Sequence, residues 1–438
     1  SLGGGIYSRD AGLVVSGSTL SGNKGSGGGA IDVENPSAIR PASLAVVDSK
    51  ITGNQATTGD GGAIEVSSAD GPTSIVRSTV SGNFAPLGDG GGVYFGYASS
   101  LGVDSSPFSG NTAQNGAGMF VYAPSGATAI SDSTIASNVT TGKGGGIYSF
   151  GYYDKPFRVQ NSTIASNSAG AGGGGVFRFG YDGTGPGYEG PEVISLSSTI
   201  VANNQGGDFA QGPLASPSGS FSLDHSIVST TVGGATITEA PAGTNKLNTC
   251  PVSLGPLADN SGPTQTMLPA LDGPAIDAGT ANSLTTDQRG LARSFDQSAT
   301  ANASGSDGTD IGAVEVGDST VDGAALKIKR KQKQKGRKVV VAIGVSASEP
   351  ATASGAGSVK LGKKKLPLAS GSVEVPGGET VTLKLKPSGK KAARKIARAL
   401  ATGKGAKATL QVTFTDAAGN VETIDGGSKL VAKKKRKK

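Results

Sequence analysis

One short phrase recurs through the first half of this chain of 438 residues and constrains its fold more than any other feature. The phrase is an apolar residue, two small residues and an asparagine, as in Ile51-Thr52-Gly53-Asn54. Successive phrases are separated by 31, 29, 28, 27, 29 and 36 residues, and their asparagines are Asn23, Asn54, Asn83, Asn111, Asn138, Asn167 and Asn203. A repeat of this length predicts a solenoid in which each unit packs on its neighbours.

The composition of the repeats favours strands over helices. Gly, with 72 residues, joins Ser, Thr and Asn as poor helix formers, and no apolar stripe of period 3.6 runs through a repeat. Val46 lies five positions before Ile51, the apolar residue that begins the phrase, and we call such residues the anchors of the repeat. Because five is an odd number, a turn must separate the two residues if both side chains point inward. We predict a right-handed parallel β-helix with three short strands per coil, with Ile135 and Ile164 inside it and the asparagines bonded from coil to coil.

A second phrase, rich in glycine and ending in an aliphatic residue, follows most of these asparagines. Gly28-Gly29-Ala30-Ile31 and Gly61-Gly62-Ala63-Ile64 are examples, and Phe108-Ser109-Gly110-Asn111 shows the first phrase with an aromatic anchor. Together they resemble the GGAI and FxxN repeats of polymorphic outer-membrane proteins and related bacterial β-helix proteins. Because the chain begins within a repeat, we expect it to be N-terminally truncated, with further coils and a signal peptide lost.

Four sequence blocks after the repeats resemble the choice-of-anchor Q domain, which in secreted proteins follows β-helix repeats. The resemblance covers roughly residues 248–316, and the blocks are Leu254–Thr266, Pro274–Gly279, Thr286–Gly290 and Asp310–Glu315. We predict a cap over the open end of the solenoid, held by a network of Asp277, Asp287, Arg289 and Asp310. A calcium site formed by these carboxylates is the alternative; otherwise no metal or cofactor is predicted.

Charge divides the chain into two parts. Residues 1–319 contain 12 basic and 26 acidic residues, whereas residues 320–438 contain 28 and 7. Alternating segments at 339–345, 373–375, 381–385 and 409–415 predict a small sandwich, and Ser388 is a candidate cap for one amphipathic helix. Thr415–Asn420 resembles a motif of Ig-like modules of bacterial surface proteins. The predicted domains are 1–245 (β-helix), 246–319 (cap), 320–338 (basic linker, or first strand of the next domain), 339–432 (Ig-like sandwich) and 433–438 (basic tail).

Aligning the coils on the glycine-rich phrase places one residue of each coil in an outward column. The column contains Tyr7, Asp32, Glu65, Tyr94, Phe120, Tyr148 and Phe177. Carboxyl groups about 5 Å apart suit a retaining glycosidase, and aromatic rings suit sugar faces, so Asp32 and Glu65 are weak catalytic candidates and the rings are candidate ligand contacts. Like residues stacked in a column also stabilise solenoids, which is the alternative interpretation.

The remaining residues exclude several classes of function. A single cysteine, Cys250, excludes an intrachain disulfide and CxxC metal sites, and the single histidine, His225, has no GxSxG motif to complete a triad. Phe414 is the single aromatic residue of the basic part, so sequence-specific nucleic-acid binding is not expected. No transmembrane segment is visible. We therefore expect an extracellular, surface or secreted protein whose partner is a cell-envelope polysaccharide or anionic wall polymer.

Overall fold

The computed structural model describes residues 2–36, 41–151, 155–180, 193–212, 221–230, 235–249, 252–293, 295–297, 300–317, 321, 323–335, 338–348, 350–416 and 420–433. Cys250 and nearly all of the basic tail lie outside these residues. The chain forms two compact units, one of residues 1–296 and 300–316 and the other of residues 297–299 and 317–438.

The first unit is a right-handed parallel β-helix, as the repeats predicted. Among the described residues, sheet A contains Ile6–Arg9, Ile31–Glu34, Ile64–Ser67, Val93–Gly96, Met119–Tyr122, Ile147–Gly151, Val176–Gly180 and Phe209–Gln211. Sheet B contains Gly12–Ser16, Ser43–Val47, Thr73–Val76, Leu101–Asp104, Thr128–Ser131, Phe157–Gln160, Ile194–Ser197, Phe221–Asp224 and Ile237–Glu239. Sheet C contains Thr19–Ser21, Lys50–Thr52, Thr79–Ser81, Phe108–Ser109, Thr134–Ala136, Thr163–Ala165, Ile200–Ala202, Ile227–Val228 and Lys246–Leu247.

A fourth sheet corrects the prediction of three strands per coil. Sheet D consists of two-residue strands that follow the asparagine of the repeat, at Lys24–Gly25, Gln55–Ala56, Phe84–Ala85, Thr112–Ala113, Val139–Thr140 and Ser168–Ala169. These strands carry no β-branched run that would mark them in the sequence. Their small inward residues, among them Ala56 and Ala85, form a separate buried cluster beside the main core.

The bore of the β-helix is filled by the aliphatic residues that anchor the repeats. Ile135 and Ile164 are fully buried, as predicted, and pair with each other in adjacent coils. The odd offset between the inward residues of sheets B and C is absorbed by one residue in the left-handed region. Asp48, at φ 49°, takes this conformation between Val46 and Ile51.

The segment after the repeats, residues 252–293 and 300–316, packs along the side of the β-helix. We call it the lateral segment. Its apolar residues cover the outer surface of sheet C, where Met267 packs on Ala136 and Ala165, and Val252 packs on Ala202. Its hydrogen bonds reach from the coil of Ser105 to that of His225. The cap was predicted to lie over the end of the solenoid, but these contacts are lateral because sheet C offers apolar outward positions only in its later coils.

The second unit is a small β-sandwich, as predicted. Its three-stranded sheet contains Ala325–Lys327, Val341–Ser346 and Thr380–Leu385. Its five-stranded sheet contains, in spatial order, Lys331–Gln334, Val421–Ala432, Ala406–Asp416, Ala351–Leu361 and Lys364–Val375. The strands Ala351–Leu361 and Val421–Ala432 were not predicted, because their alanines, serines and glycines lack the usual strand pattern. The likeness to Ig-like modules stays a prediction.

Two local predictions for this unit are corrected. The segment assigned as a basic linker contains the strands Ala325–Lys327 and Lys331–Gln334, so it is the first part of the sandwich, the alternative that the sequence left open. The helix Lys390–Ala401 has Gly389 at its N-cap with no side-chain cap, so Ser388 does not cap it. Its buried face is formed by Ala392, Ile396 and Leu400, at the spacing expected of the amphipathic helix that the sequence predicted.

Alternation within the basic run explains why it can form a strand. Lys331 and Lys333 are exposed, whereas Gln332 and Gln334 point inward and are buried. The amide of Gln332 donates to the carbonyl of Ala342 at 2.8 Å and accepts from the N–H of the same residue at 2.9 Å. Gln334 makes the equivalent pair with Val340. The glutamines thereby satisfy backbone groups that lack a strand neighbour.

Candidate functional site

The asparagine column forms a continuous buried ladder. In each step the side-chain oxygen of one asparagine accepts from the backbone N–H and the side-chain N–H of the asparagine in the preceding coil. Asn83 donates both bonds to Asn111 at 3.0 Å, and Asn111 donates both to Asn138. The remaining N–H of Asn111 donates to the carbonyl of Val80 at 3.0 Å. Since every donor and acceptor is used, this column serves coil stacking.

The ladder continues through Asn204, and the assignment of Asn203 from the repeat spacing was wrong. Asn167 donates to the side-chain oxygen of Asn204 at 2.9 and 3.0 Å. Ile164 pairs with Val201 and not with Ile200, which shifts the phrase by one residue and places Asn203, at φ 60°, in the left-handed turn. In other coils the apolar residue of the phrase lies five positions after an inward residue of sheet B. Counted from the inward Leu196, this offset gives Val201 as the apolar residue and Asn204 as the asparagine.

A second ladder was not predicted from the sequence. In the turn between sheets B and C, the backbone N–H of one residue donates to the side-chain hydroxyl of its equivalent in the next coil. The N–H of Ser78 donates to Ser106 at 3.0 Å, and that of Ser106 to Ser133 at 3.1 Å. Among the described residues the series is Ser18, Ser49, Ser78, Ser106, Ser133, Ser162, Thr199 and Ser226. The recurring hydroxyl residue five positions before each ladder asparagine was the available signal.

The predicted outward column on sheet A has the expected register. Strand pairing places its members directly opposite one another in successive coils, in the order Tyr7, Asp32, Glu65, Tyr94, Phe120, Tyr148 and Phe177. A second aromatic column lies two residues further along the same strands and was not predicted. In it, the ring centroid of Phe150 lies 4.7 Å from that of Tyr122 and 5.0 Å from that of Phe179.

The rings of the first column cover one another. Ring centroids are 5.6 Å apart for Tyr94 and Phe120, 4.5 Å for Phe120 and Tyr148, and 5.0 Å for Tyr148 and Phe177, with interplanar angles of 9°, 13° and 32°. Phe120 is only 7% and Phe177 only 2% exposed. Sugar recognition uses ring faces, and these faces contact other rings. The geometry therefore favours coil stacking over ligand contact.

The acidic pair at the start of this column is held in a confined environment. Asp32 and Glu65 are direct strand partners, and Asp32 is only 4% exposed. One oxygen of Glu65 accepts from the N–H of Gly28 at 3.1 Å, and the other accepts from the hydroxyl of Ser67 at 3.2 Å. Burial raises the pKa of Asp32 to about 6. Burial and the charge of Asp32 raise the pKa of Glu65 to about 7.

A polar column missed in the sequence runs beside the acidic pair, in the turn that leads into sheet A. The N–H of Asp89 donates to Asp60 at 2.7 Å, and the side chain of Asn115 donates to Asp89 at 3.0 Å. Burial raises the pKa of both aspartates. The Nζ of Lys143 lies 4.8 Å from the ring centroid of Phe177 and thus joins this turn to the aromatic column.

The four predicted residues of the lateral segment form two hydrogen-bonded groups. Asp287 accepts from the backbone and Nε of Arg289, both at 2.8 Å, and Arg289 also donates to the carbonyl of Glu315. Asp310 accepts from the backbone N–H of Asp277 at 2.8 Å and from that of Val316 at 2.7 Å. Among the described residues, no group of three or more His, Cys, Asp or Glu is arranged to hold a metal ion.

The residues that join this segment to the β-helix were not predicted. Arg293 is fully buried and donates to Asp132, and Gln288 accepts from the hydroxyl of Thr134 at 2.6 Å. His225 lies in a turn, and its Nδ1 lies 2.6 Å from Asp224 while its Nε2 lies 3.2 Å from the carbonyl of Ser304. The lateral segment thus contacts the β-helix at the left-handed turn between sheets B and C, at Asp132 in one coil and at His225 in a later one.

No helix among the described residues is long and apolar enough to cross a membrane. A scan of protein-family models finds no match to this chain. A search of the curated proteins finds none either. The likenesses to outer-membrane repeat proteins, to the choice-of-anchor Q domain and to Ig-like modules thus remain resemblances of short motifs, whereas the parallel β-helix extends through the strands from Ile6–Arg9 to Lys246–Leu247.

Proposed function

We propose that this chain is a secreted or cell-surface, non-catalytic β-helix protein. In this proposal the β-helix is a rigid spacer and a display or carbohydrate-contact surface, and the basic unit holds the protein at the cell envelope. The observation that carries the proposal is the use of side-chain columns for coil-to-coil contacts. The asparagine, serine and aromatic columns all bond or stack along the axis. Such ladders stiffen a solenoid and leave few groups for chemistry.

The charge of the second unit supports an anionic polymer as partner. Residues 320–438 contain 28 basic and 7 acidic residues. Phe414, their single aromatic residue, is fully buried, so no base can stack on it. Cell-envelope polysaccharides and anionic wall polymers supply repeated negative charge without bases. They are therefore preferred to nucleic acid as partners.

Retention of the full chain on immobilised anionic wall polymer tests this function. We expect retention at 0.1 M salt and release at 1 M salt, because the Debye length shrinks from about 10 Å to about 3 Å. A neutral glycan on the same matrix is the control. Absence of retention at low salt, or retention that persists at 1 M salt, contradicts attachment through charge.

A polysaccharide-active enzyme is the second candidate, and one observation favours it. Asp32 and Glu65 lie in adjacent coils with pKa values of about 6 and 7, as a general acid would require near neutral pH. Against it, Asp32 is nearly inaccessible to a substrate.

Incubation with acidic and neutral glycans, with release of reducing ends or unsaturated products as readout, separates the two candidates. We expect no turnover. Turnover that is lost in Asp32→Asn or Glu65→Gln, but retained in Asp48→Asn, would replace the first proposal by the second. Asp48 is a suitable control because it is an exposed carboxylate in an ion pair on another face.

A further inference from the structure

A row of five lysines crosses the whole five-stranded sheet of the second unit. Strand register places Lys365 opposite Lys360, Lys360 opposite Lys407, Lys407 opposite Lys429, and Lys429 opposite Lys331. All five side chains are exposed, and direct partners share one face of a sheet. Because neighbouring strands are about 4.8 Å apart, the row spans about 19 Å. We call it the lysine row.

The stability of the sheet does not explain why lysines occupy the centre of this row. Like charges directly opposite one another destabilise a sheet. Lysines on the edge strands, Lys365 and Lys331, can be explained as protection against edge-to-edge pairing. That explanation does not reach Lys360, Lys407 and Lys429, which lie on the three inner strands. Three aligned charges on inner strands therefore point to a partner of opposite charge.

No carboxylate among the described residues neutralises the lysine row. None of its members has an ion pair within 4.0 Å in the described part of the chain. The adjacent row on the same face, two residues along each strand, contains Pro367, Ser358, Thr409 and Gly427 and carries no charge.

The centre of the lysine row borders a groove of about 620 Å³. Its charged lining is entirely basic, from Arg330, Lys360, Lys407 and Lys429, and Gly362, Gly405 and Gly427 lie between these side chains. Glycines next to long basic side chains leave space for a ligand at the level of the backbone. The groove thus combines aligned cations with an open floor.

We propose that the lysine row is a binding site for a single linear anionic glycan, which lies across the strands with its carboxylate or phosphate groups along the row. This site deepens the function proposed above and rests on it, because it assigns attachment to one line of residues and not to diffuse charge. A linear polymer fits because the charges lie on one line of about 19 Å. Flexible, hydrated lysines suit repeated single anions better than bidentate recognition.

The test compares two triple variants of the full chain that have the same net charge. Lys360→Gln, Lys407→Gln and Lys429→Gln remove the centre of the row. Lys384→Gln, Lys391→Gln and Lys395→Gln remove three exposed lysines from the other sheet and the helix. Binding is measured by titration at 0.1 M salt with polygalacturonate for carboxylates, polyphosphate for phosphates and duplex DNA for nucleic acid. Thermal unfolding checks that both variants fold.

We expect the row variant to bind polygalacturonate or polyphosphate at least tenfold more weakly than the wild type, and the control variant to change less than about threefold. A Lys→Arg version of the row should retain binding. Equal losses in the two triple variants overturn the lysine row but leave attachment through charge intact. Absence of binding by the wild type overturns both. Tighter binding of duplex DNA than of either other polymer overturns the glycan as ligand.

Discussion

Arg293 donates a hydrogen bond to Asp132 although the two residues are separated by 161 positions in the chain. Arg293 is fully buried and Asp132 is 3% exposed. Arg293 also donates to the carbonyl of Gly312 at 3.2 Å. Asp132 lies in the left-handed turn between sheets B and C, at φ 45°. The lateral segment is therefore joined to the β-helix by a buried ion pair as well as by apolar contacts.

Removal of one partner of this ion pair should be strongly destabilising. We expect Arg293→Met to lower the free energy of unfolding by about 3–5 kcal/mol, because the buried carboxyl of Asp132 and the buried carbonyl of Gly312 lose their partner. Urea unfolding of the full chain measures the change. The control is Arg77→Met, which breaks an exposed ion pair with Asp48 in an earlier coil. Equal effects of the two substitutions would contradict a buried role for Arg293.

Sheet C should tolerate a lysine only where the lateral segment does not cover it. Ser81 and Ala165 occupy equivalent outward positions, but Ser81 is partly exposed and Ala165 is fully buried beside Met267. We expect Ala165→Lys to cost several kcal/mol, since it places a charge among apolar groups, and Ser81→Lys to change stability by less than about 0.5 kcal/mol. Thermal unfolding compares the two. A mild effect at Ala165 would contradict the lateral packing.

The reassigned end of the asparagine ladder predicts different roles for two neighbouring residues. Asn204→Ala should cost about 2–4 kcal/mol, because the amide of Asn167 and the carbonyl of Ile164 lose their buried partner. Asn203→Gly should cost less than about 1 kcal/mol, since glycine suits φ 60° and only the bond to the carbonyl of Val252 is lost. Chemical denaturation of both variants gives the order. The reverse order would restore Asn203 to the ladder.

The acidic pair predicts a pH dependence of stability. Because the folded pKa values of Asp32 and Glu65 are raised, the folded state holds these protons more tightly than the unfolded chain. Their contribution to stability is present below about pH 4 and is lost as pH rises through 6 and 7. Asp32→Asn with Glu65→Gln should therefore stabilise the protein by about 1–3 kcal/mol at pH 8. Little gain is expected at pH 4.

Thermal unfolding at the two pH values measures this difference. Asp48→Asn is the control, because the guanidinium of Arg77 lowers the pKa of that carboxyl and gives its pH dependence the opposite sign. A gain in the double variant that is the same at pH 4 and pH 8 would mean that the charges of Asp32 and Glu65 are not the cause.

The sequence by itself determined the β-helix and the register of its columns. Both follow from local rules: the asparagine returns once per coil, and side chains alternate between the two faces of a strand. Aligning coils on the glycine-rich phrase was therefore enough to place Asp32 opposite Glu65. The same rules were ambiguous at residues 200–204, where the phrase can end at either of two adjacent asparagines. There the local pattern selected Asn203, although the ladder uses Asn204.

The tertiary structure alone decided what covers each surface. Ala165 is an outward residue by its pattern, yet it is buried, because Met267 of a distant segment packs beside it. Arg293 reaches Asp132 only after the lateral segment docks. The basic charge of the second unit is evident in the sequence, but its alignment in the lysine row depends on pairing between strands. Such pairing joins residues far apart in sequence, and no local periodicity specifies it.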